Sequence, residues 1–539
     1  MAARRTLPVW LVAGLALAGP AGAEELAQAG SDWSVDLRLR LSQRFVWQEN
    51  ALNTLGSLTA VGRPQGDGGG PGVRTYEGPF NLRLEQDQLG YSVFAGVGLA
   101  ARYADVVGLG LSLDSGEVKI PALVRYRPAP MCQQGAALDP RCGPTSNGQA
   151  LADEAAETGF LREAYLALHL GEAGWLDLRL GKLLATAASG YVLDSYALGL
   201  SLEADLELGF EVPLRLGLDA LLPDGRFTAD GKQSPLVSLE AAYLLSFLEE
   251  LGVLFAWYHD GDDSLAQVMR AVLGEAALAG GLPTRPLYAA LQLPTTQITT
   301  RGDLFWVGLR GRLVFDGWSL GALGVVAAGG FDLRVEGLTT SGERVSRSGR
   351  ATCLGGMLDL DVQVDLADSF GLGAFFLYQS GETFGPDQIR EGLAGRYTSF
   401  LSVYPYVTRM NLFFSGGLNE NFSARTFTTS GVNGRGVLAP GLVAGWDIAP
   451  GLNAVARSAL LFSQGAHLQS GSRFYGWETD LELRWAPTRW LRLSLEADYL
   501  WSGGFFDFPK PIEALDPSLQ ADVEEPDMWR ILIGLDLVY

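Results

Sequence analysis

The chain has 539 residues, with 61 acidic against 40 basic side chains and a formal charge of −21. So acidic a balance excludes a nucleic-acid binder that works through basic patches. Mean hydropathy is +0.13, too low for a bundle of membrane helices. Apolar residues still reach 47% and glycines number 69. A sheet with one greasy and one wet face accounts for both figures.

Arg4 and Arg5 precede an apolar run from Leu7 to Ala18, and Ala21-Gly22-Ala23 precedes Glu24. A charged start, a short apolar stretch and an A-x-A site predict a signal peptide over 1–23. No cysteine stands directly after the site, which argues against a lipoprotein. Beyond residue 23 no run of eighteen apolar residues lacks charges. The expected organisation is a signal peptide over 1–23, a short periplasmic segment over 24–31, and a barrel over 32–539.

The first expected strand, 32–47, puts Val35, Leu37, Leu39 and Leu41 on a lipid face. It puts Asp36, Arg38, Arg40, Ser42 and Arg44 on a water face, and period-2 alternation is what a membrane strand requires. The next strands are expected over 73–87, 91–117, 160–170, 175–184, 196–207, 209–220, 235–247 and 250–260. Those after them are expected over 303–315, 317–336, 350–365, 369–380, 436–448, 451–464, 473–486, 489–502 and 528–539. Gln88-Leu89-Gly90 reads as a tight turn, and strand 91–117 as an unusually long one, bulged near Ala104. The last strand sets Ile531, Ile533, Leu535, Leu537 and Tyr539 on one side, with Arg530, Gly534 and Asp536 on the other. A closing strand that ends on an aromatic makes Tyr539 the expected signal for the barrel-assembly machinery. Tight turns alternate with long connections at 48–72, 118–159, 261–302, 337–349, 381–435 and 503–527. The fold class is therefore all-β: a transmembrane antiparallel β-barrel of about 18 strands, between 16 and 20. Short turns are periplasmic, long loops extracellular, and the location is the outer membrane of a Gram-negative bacterium.

Cys132 and Cys142 share one Pro- and Gly-rich loop, and an exported chain predicts a disulfide there. Cys353 is left as a free thiol near a strand end. Ser264 to Ala277 has helical spacing and reads as a short loop helix. Segment 396–418 is too apolar for free solvent. It either constricts the lumen or extends the wall, and the wall is the favoured reading.

The expected lumen carries Arg38, Arg40, Arg44, Arg83, Arg179, Arg215, Arg310, Arg312, Arg334, Arg484, Arg492 and Arg530. Its acids are Asp36, Glu85, Glu203, Asp205, Glu207, Asp219, Asp332, Asp359, Asp361, Asp365, Glu478, Asp480, Glu482, Glu496 and Asp498. Such charges set selectivity where they face water. Where they face one another they only tie neighbouring strands, which is the favoured reading for any single residue.

Three stretches resemble the alginate-export family. They are Leu161-Arg162-Glu163-Ala164-Tyr165-Leu166 with Leu178-Arg179-Leu180-Gly181-Lys182, Tyr378-Gln379-Ser380-Gly381-Glu382, and Gly476-Trp477-Glu478-Thr479-Asp480. The resemblance implies an eighteen-stranded barrel that passes anionic polysaccharide, with periplasmic export components as partners. It makes Arg162, Arg179 and Lys182 cargo contacts. Lys182-Leu183-Leu184 departs from the family's pattern, and the acid-rich lumen departs from a path for polyanions.

The leading function is a passive outer-membrane channel for polysaccharide or other polar solutes. The alternatives are a scaffold or receptor barrel, including a sheath around an electron-carrying partner, and, least favoured, a barrel hydrolase. Only His259, beside Asp260 and near Ser264, offers a Ser–His–acid arrangement, with no nucleophile motif to support it. No enzyme activity, cofactor, metal or nucleic-acid partner is expected; outer-membrane lipid is.

Overall fold

In the computed structural model, twenty-one strands hydrogen-bond in one sheet that returns to its first member. Three are short pieces over 118–119, 125–126 and 395–397, and the other eighteen form the wall. We number the wall strands β1 Trp33–Glu49, β2 Gln88–Tyr103, β3 Val107–Asp114, β4 Leu161–Leu170, β5 Leu176–Ala187 and β6 Leu193–Asp205. Next come β7 Leu214–Leu222, β8 Leu236–Tyr243, β9 Leu248–Asp260, β10 Gln297–Phe315, β11 Trp318–Leu338 and β12 Arg344–Ala367. The last are β13 Phe370–Gln379, β14 Val437–Ala449, β15 Leu452–Phe462, β16 Phe474–Thr488, β17 Leu491–Ser502 and β18 Met528–Val538. Each wall strand pairs antiparallel with the next, and β18 pairs with β1, so the cylinder closes.

The structure describes residues 33–49, 64–66, 73–75, 88–104, 106–114, 118–119, 125–126, 161–171, 175–223, 233–244, 248–261, 297–338, 342–382, 395–403, 409–414, 428–431, 434–466, 471–506 and 527–538, with 263, 265, 266, 269, 273 and 405. The signal peptide, Arg83, Glu85, Cys132, Cys142, Ser264, the Arg162 side chain and Tyr539 lie outside them.

Eighteen strands were expected, but two of the boundaries differ. Residues 88–103 form the second wall strand, running through the expected Gln88-Leu89-Gly90 turn. Among the described residues, 73–75 pair with 64–66, apart from the wall. The expected long strand breaks at Ala104, whose φ of 48° turns the chain back into β3. The two differences cancel, which preserves both the count and the parity.

The largest departure concerns polarity along β10, β11 and β12. In their lower halves the outward residues are apolar, including Val307, Leu309, Val326 and Leu358. Higher up, the outward residues are Arg301, Asp332, Arg334 and Arg350, all exposed. There the inward residues Ile298, Phe331, Leu333, Val335 and Val345 are buried. The wall thus continues past the lipid as a water-soluble barrel with an apolar core. Most of the expected 337–349 loop is strand, because β11 and β12 stay paired up to Leu338 and Arg344. Arg334 and Asp332, expected inside, face outward, and Arg334 pairs with Glu336 at the outer surface. Glu207, also expected inside, sits in a five-residue helical turn, Leu206–Phe210, between β6 and β7. Cys353 is buried in the middle of β12 rather than near its end.

Candidate functional site

The connection between β13 and β14 first extends the wall and then folds inward. Its piece at 395–397 lies beside β12, and the chain then enters the upper lumen. Phe400, Leu401, Val403, Met410, Leu412, Phe413 and Phe414 are all buried there. They pack into one cluster with Trp306, Tyr475, Leu500 and Phe505 from the wall side. Both readings of 396–418 hold in part: 395–397 joins the wall beside β12, and the described apolar residues after it fill the upper lumen.

The tip, Arg409 to Phe414, is fastened by wall carboxylates. Glu478 accepts from the Leu412 and Phe413 amides at 2.6 and 3.0 Å. Asp480 accepts from the Asn411 amide at 2.9 Å, and Asp498 from Asn411 Nδ2 at 3.0 Å. Arg530 donates to the Asn411 carbonyl at 3.1 Å while bridging Glu496 at 2.7 Å and Asp498 at 3.0 Å. On the facing wall, Arg409 chelates Asp359 at 2.7 Å and reaches Asp361 at 3.3 Å. The segment between β5 and β6 also turns inward. Its Tyr191 hydroxyl donates to Asp359 at 2.6 Å, and the Val403 amide donates to the Val192 carbonyl. Glu240 on β8 accepts from the Ala188 amide of that segment and from Arg310.

These contacts change which charges meet water. Of the acids expected in the lumen, Asp359, Glu478, Asp480, Glu482, Glu496 and Asp498 are buried, as against only Arg44 and Arg530 among the arginines. Exposed inward positions include Arg38, Arg102, Arg215, Arg312, Arg484 and Arg492, with the acids Asp36, Glu203, Asp365 and Asp447. Arg38, Arg215 and Arg484 pair with Asp36, Asp205 and Glu482. Half-buried pairs such as Arg179–Asp177, Arg310–Glu240 and Arg40–Asp536 add little net charge. The exposed arginines cluster toward the end of the barrel that carries the short turns. Arg102 and Arg492 have no acid partner among the described residues.

By strand phase Arg38, Arg40, Arg179, Arg310, Arg312, Arg484 and Arg492 lie on the lumen side of the wall. Lys182 does not. It shares the outward phase of Leu180 and Leu184, and its ammonium donates to the Leu161 carbonyl at 2.6 Å. His259 and Asp260 point to opposite faces of β9. His259 lies beside Asp303 at 3.0 Å on the outside, while Asp260 holds Thr300 inside. A catalytic pair cannot form between them. Sequence reasoning missed Asn411 and Arg409, whose role depends on the chain folding back across the lumen. Of the expected loop helix the described residues Ala266, Met269 and Leu273 are helical, and Leu265, Met269 and Leu273 are buried in the core cluster.

Gly355 gives a local test of this packing. An added Cβ there would sit 2.7 Å from the Ser399 carbonyl oxygen and 2.8 Å from the Phe400 backbone. Backbone cannot step aside as a side chain can, so Gly355→Val should destabilise the inner loop by about 1–3 kcal/mol. Faster proteolysis at 400–414 in the folded barrel would report it; cleavage at the parent rate would contradict the packing.

Outside, a broad apolar belt that includes Leu180, Val253, Val307, Leu309, Leu442 and Ile533 is exposed. Trp257, Trp446, Trp477, Trp485 and Trp501 sit among the outward residues, and no described helix is long and apolar enough to cross a membrane. A closed cylinder leaves no backbone edge unpaired, which is what hydrocarbon demands. The chain is an outer-membrane β-barrel. No family model and no curated relative matches it. It is similar to solved Pseudomonas aeruginosa structures: OccK9 (OpdG), at 16% identity, 94% and 98% coverage of the two chains and a TM-score of 0.41, and OpdQ, at 10%, 94% and 98%, and 0.44. Salmonella typhi OmpF in complex with daunomycin aligns at 9% identity, with 94% and 98% coverage and a TM-score of 0.39.

Proposed function

We propose that this barrel is a passive channel for small polar solutes, with a preference for anions set at its periplasmic mouth. The observation that carries this reading is the unequal burial of charge. Six lumen acids are buried, while the exposed arginines include Arg102 and Arg492, which have no acid partner among the described residues, beside Arg312 and the paired Arg38, Arg215 and Arg484. Exposed charge at a pore surface sets selectivity, and buried charge is spoken for by its partners. A long polysaccharide is the less favoured cargo, because the inner loop occupies the upper lumen and Lys182 faces outward. A sheath for an electron-carrying partner needs an empty upper lumen, which the same loop fills.

The test is the reversal potential of the refolded protein across a salt gradient in planar bilayers. Permeability to chloride should exceed that to potassium. Arg102→Glu with Arg492→Glu should reverse the preference, since neither arginine has a described acid partner. Cation selectivity in the parent, or no conductance at all, would overturn the reading.

A further inference from the structure

The outer face of β10–β12 has an ordered boundary. Trp257, Phe305, Ala328 and Leu354 lie side by side across β9–β12 as one outward row. The row above is His259, Asp303, Gly330 and Thr352, with Arg396 beside Thr352. Next come Arg301, Asp332 and Arg350 in direct register, then Thr299, Arg334 and Ser348. Each row is two residues from the last, so the arginines begin about 7 Å along the strands from the end of the apolar row and continue to about 20 Å. That span is where lipid headgroups lie.

Arg301, Arg350 and Arg396 are exposed and make no ion pair among the described residues. With Arg334 they are four against the three outward acids Asp303, Asp332 and Glu336. Immediately below, Phe305, Val307, Leu309, Val326 and Leu358 give a continuous exposed apolar strip. One lipid could lay its chains on that strip and its headgroup on the arginines, a combination a free anion does not need.

We propose that this patch binds the phosphorylated sugar headgroup of an outer-leaflet glycolipid. The planar fork of arginine matches phosphate oxygens in two hydrogen bonds, and neighbouring strands hold two such forks one residue of acid apart. The site stands on the membrane placement of the barrel and is independent of what the lumen passes.

The experiment uses the full-length refolded barrel in detergent micelles, titrated separately with diphosphorylated lipid A, the same lipid stripped of phosphate, and inorganic phosphate. Binding is read by native mass spectrometry, and a heat-modifiability gel confirms that each variant is folded. The phosphorylated lipid should bind, and Arg301→Gln with Arg350→Gln should weaken it about tenfold, the loss of one or two charge-assisted contacts. Asp332→Asn should tighten it, an opposite shift that a fold defect would not produce. Equal binding by the double variant, or equal binding of the dephosphorylated lipid, would overturn the proposal. So would inorganic phosphate displacing the lipid at comparable concentration, which would make the patch a free-anion site.

Discussion

Glu478→Ala should free the tip of the inner loop and at least double single-channel conductance. Glu478 is fully buried and accepts from two backbone amides, Leu412 and Phe413. Hydrogen bonds to a charged group contribute about 1.5–3 kcal/mol each, so losing two removes about 3–6 kcal/mol from the fastened state. Such a change shifts a two-state equilibrium by a factor of about 10² to 10⁴. Glu478→Gln retains one acceptor oxygen and should fall between parent and Ala. Single-channel recordings decide it: a Glu478→Ala barrel with the parent conductance and the parent closures would show that the loop is not held by this carboxylate.

Arg530→Ala should destabilise the whole barrel by about 3–5 kcal/mol, the usual consequence of removing one partner from a buried charge network. Its guanidinium is buried and bridges Glu496 and Asp498, both buried, while also holding the Asn411 carbonyl. Without it, two carboxylates stay in a dry site with no countercharge on β18. The effect lands on closure, because β18 pairs with both β17 and β1. Urea titration of folding into lipid vesicles measures it, and the midpoint should fall sharply. Adding Glu496→Leu and Asp498→Leu to Arg530→Met should restore most of the loss, since a matched apolar replacement removes the desolvation penalty with the charges. A single Arg530→Ala variant as stable as the parent would mean that water reaches the cluster and screens it.

Much of the wall was legible in the residues. β1, β16, β17 and β18 alternate cleanly because hydrocarbon on one side and water on the other leave no other pattern. The same rule misplaced Arg334 and Asp332. Alternation says that two faces differ, but not which one is outside, and the outside changes solvent partway up β11. Lys182 was misplaced by motif resemblance where its own strand phase, two residues from Leu180 and Leu184, already pointed outward. Ala104 reads in the sequence as a bulge and not a turn, since alanine rarely takes the positive φ found there.

By itself the chain's order of residues determined an acidic, alternating, closed antiparallel cylinder with short turns at one end and long connections at the other. It did so because period and hydropathy are local quantities. The folded molecule alone decided which charges face water. Glu478 and Asp480 became loop clamps, not pore lining, because Asn411, Leu412 and Phe413 return from more than sixty positions earlier to meet them. Burial of a charge is a property of what comes to cover it, and that is set by tertiary packing.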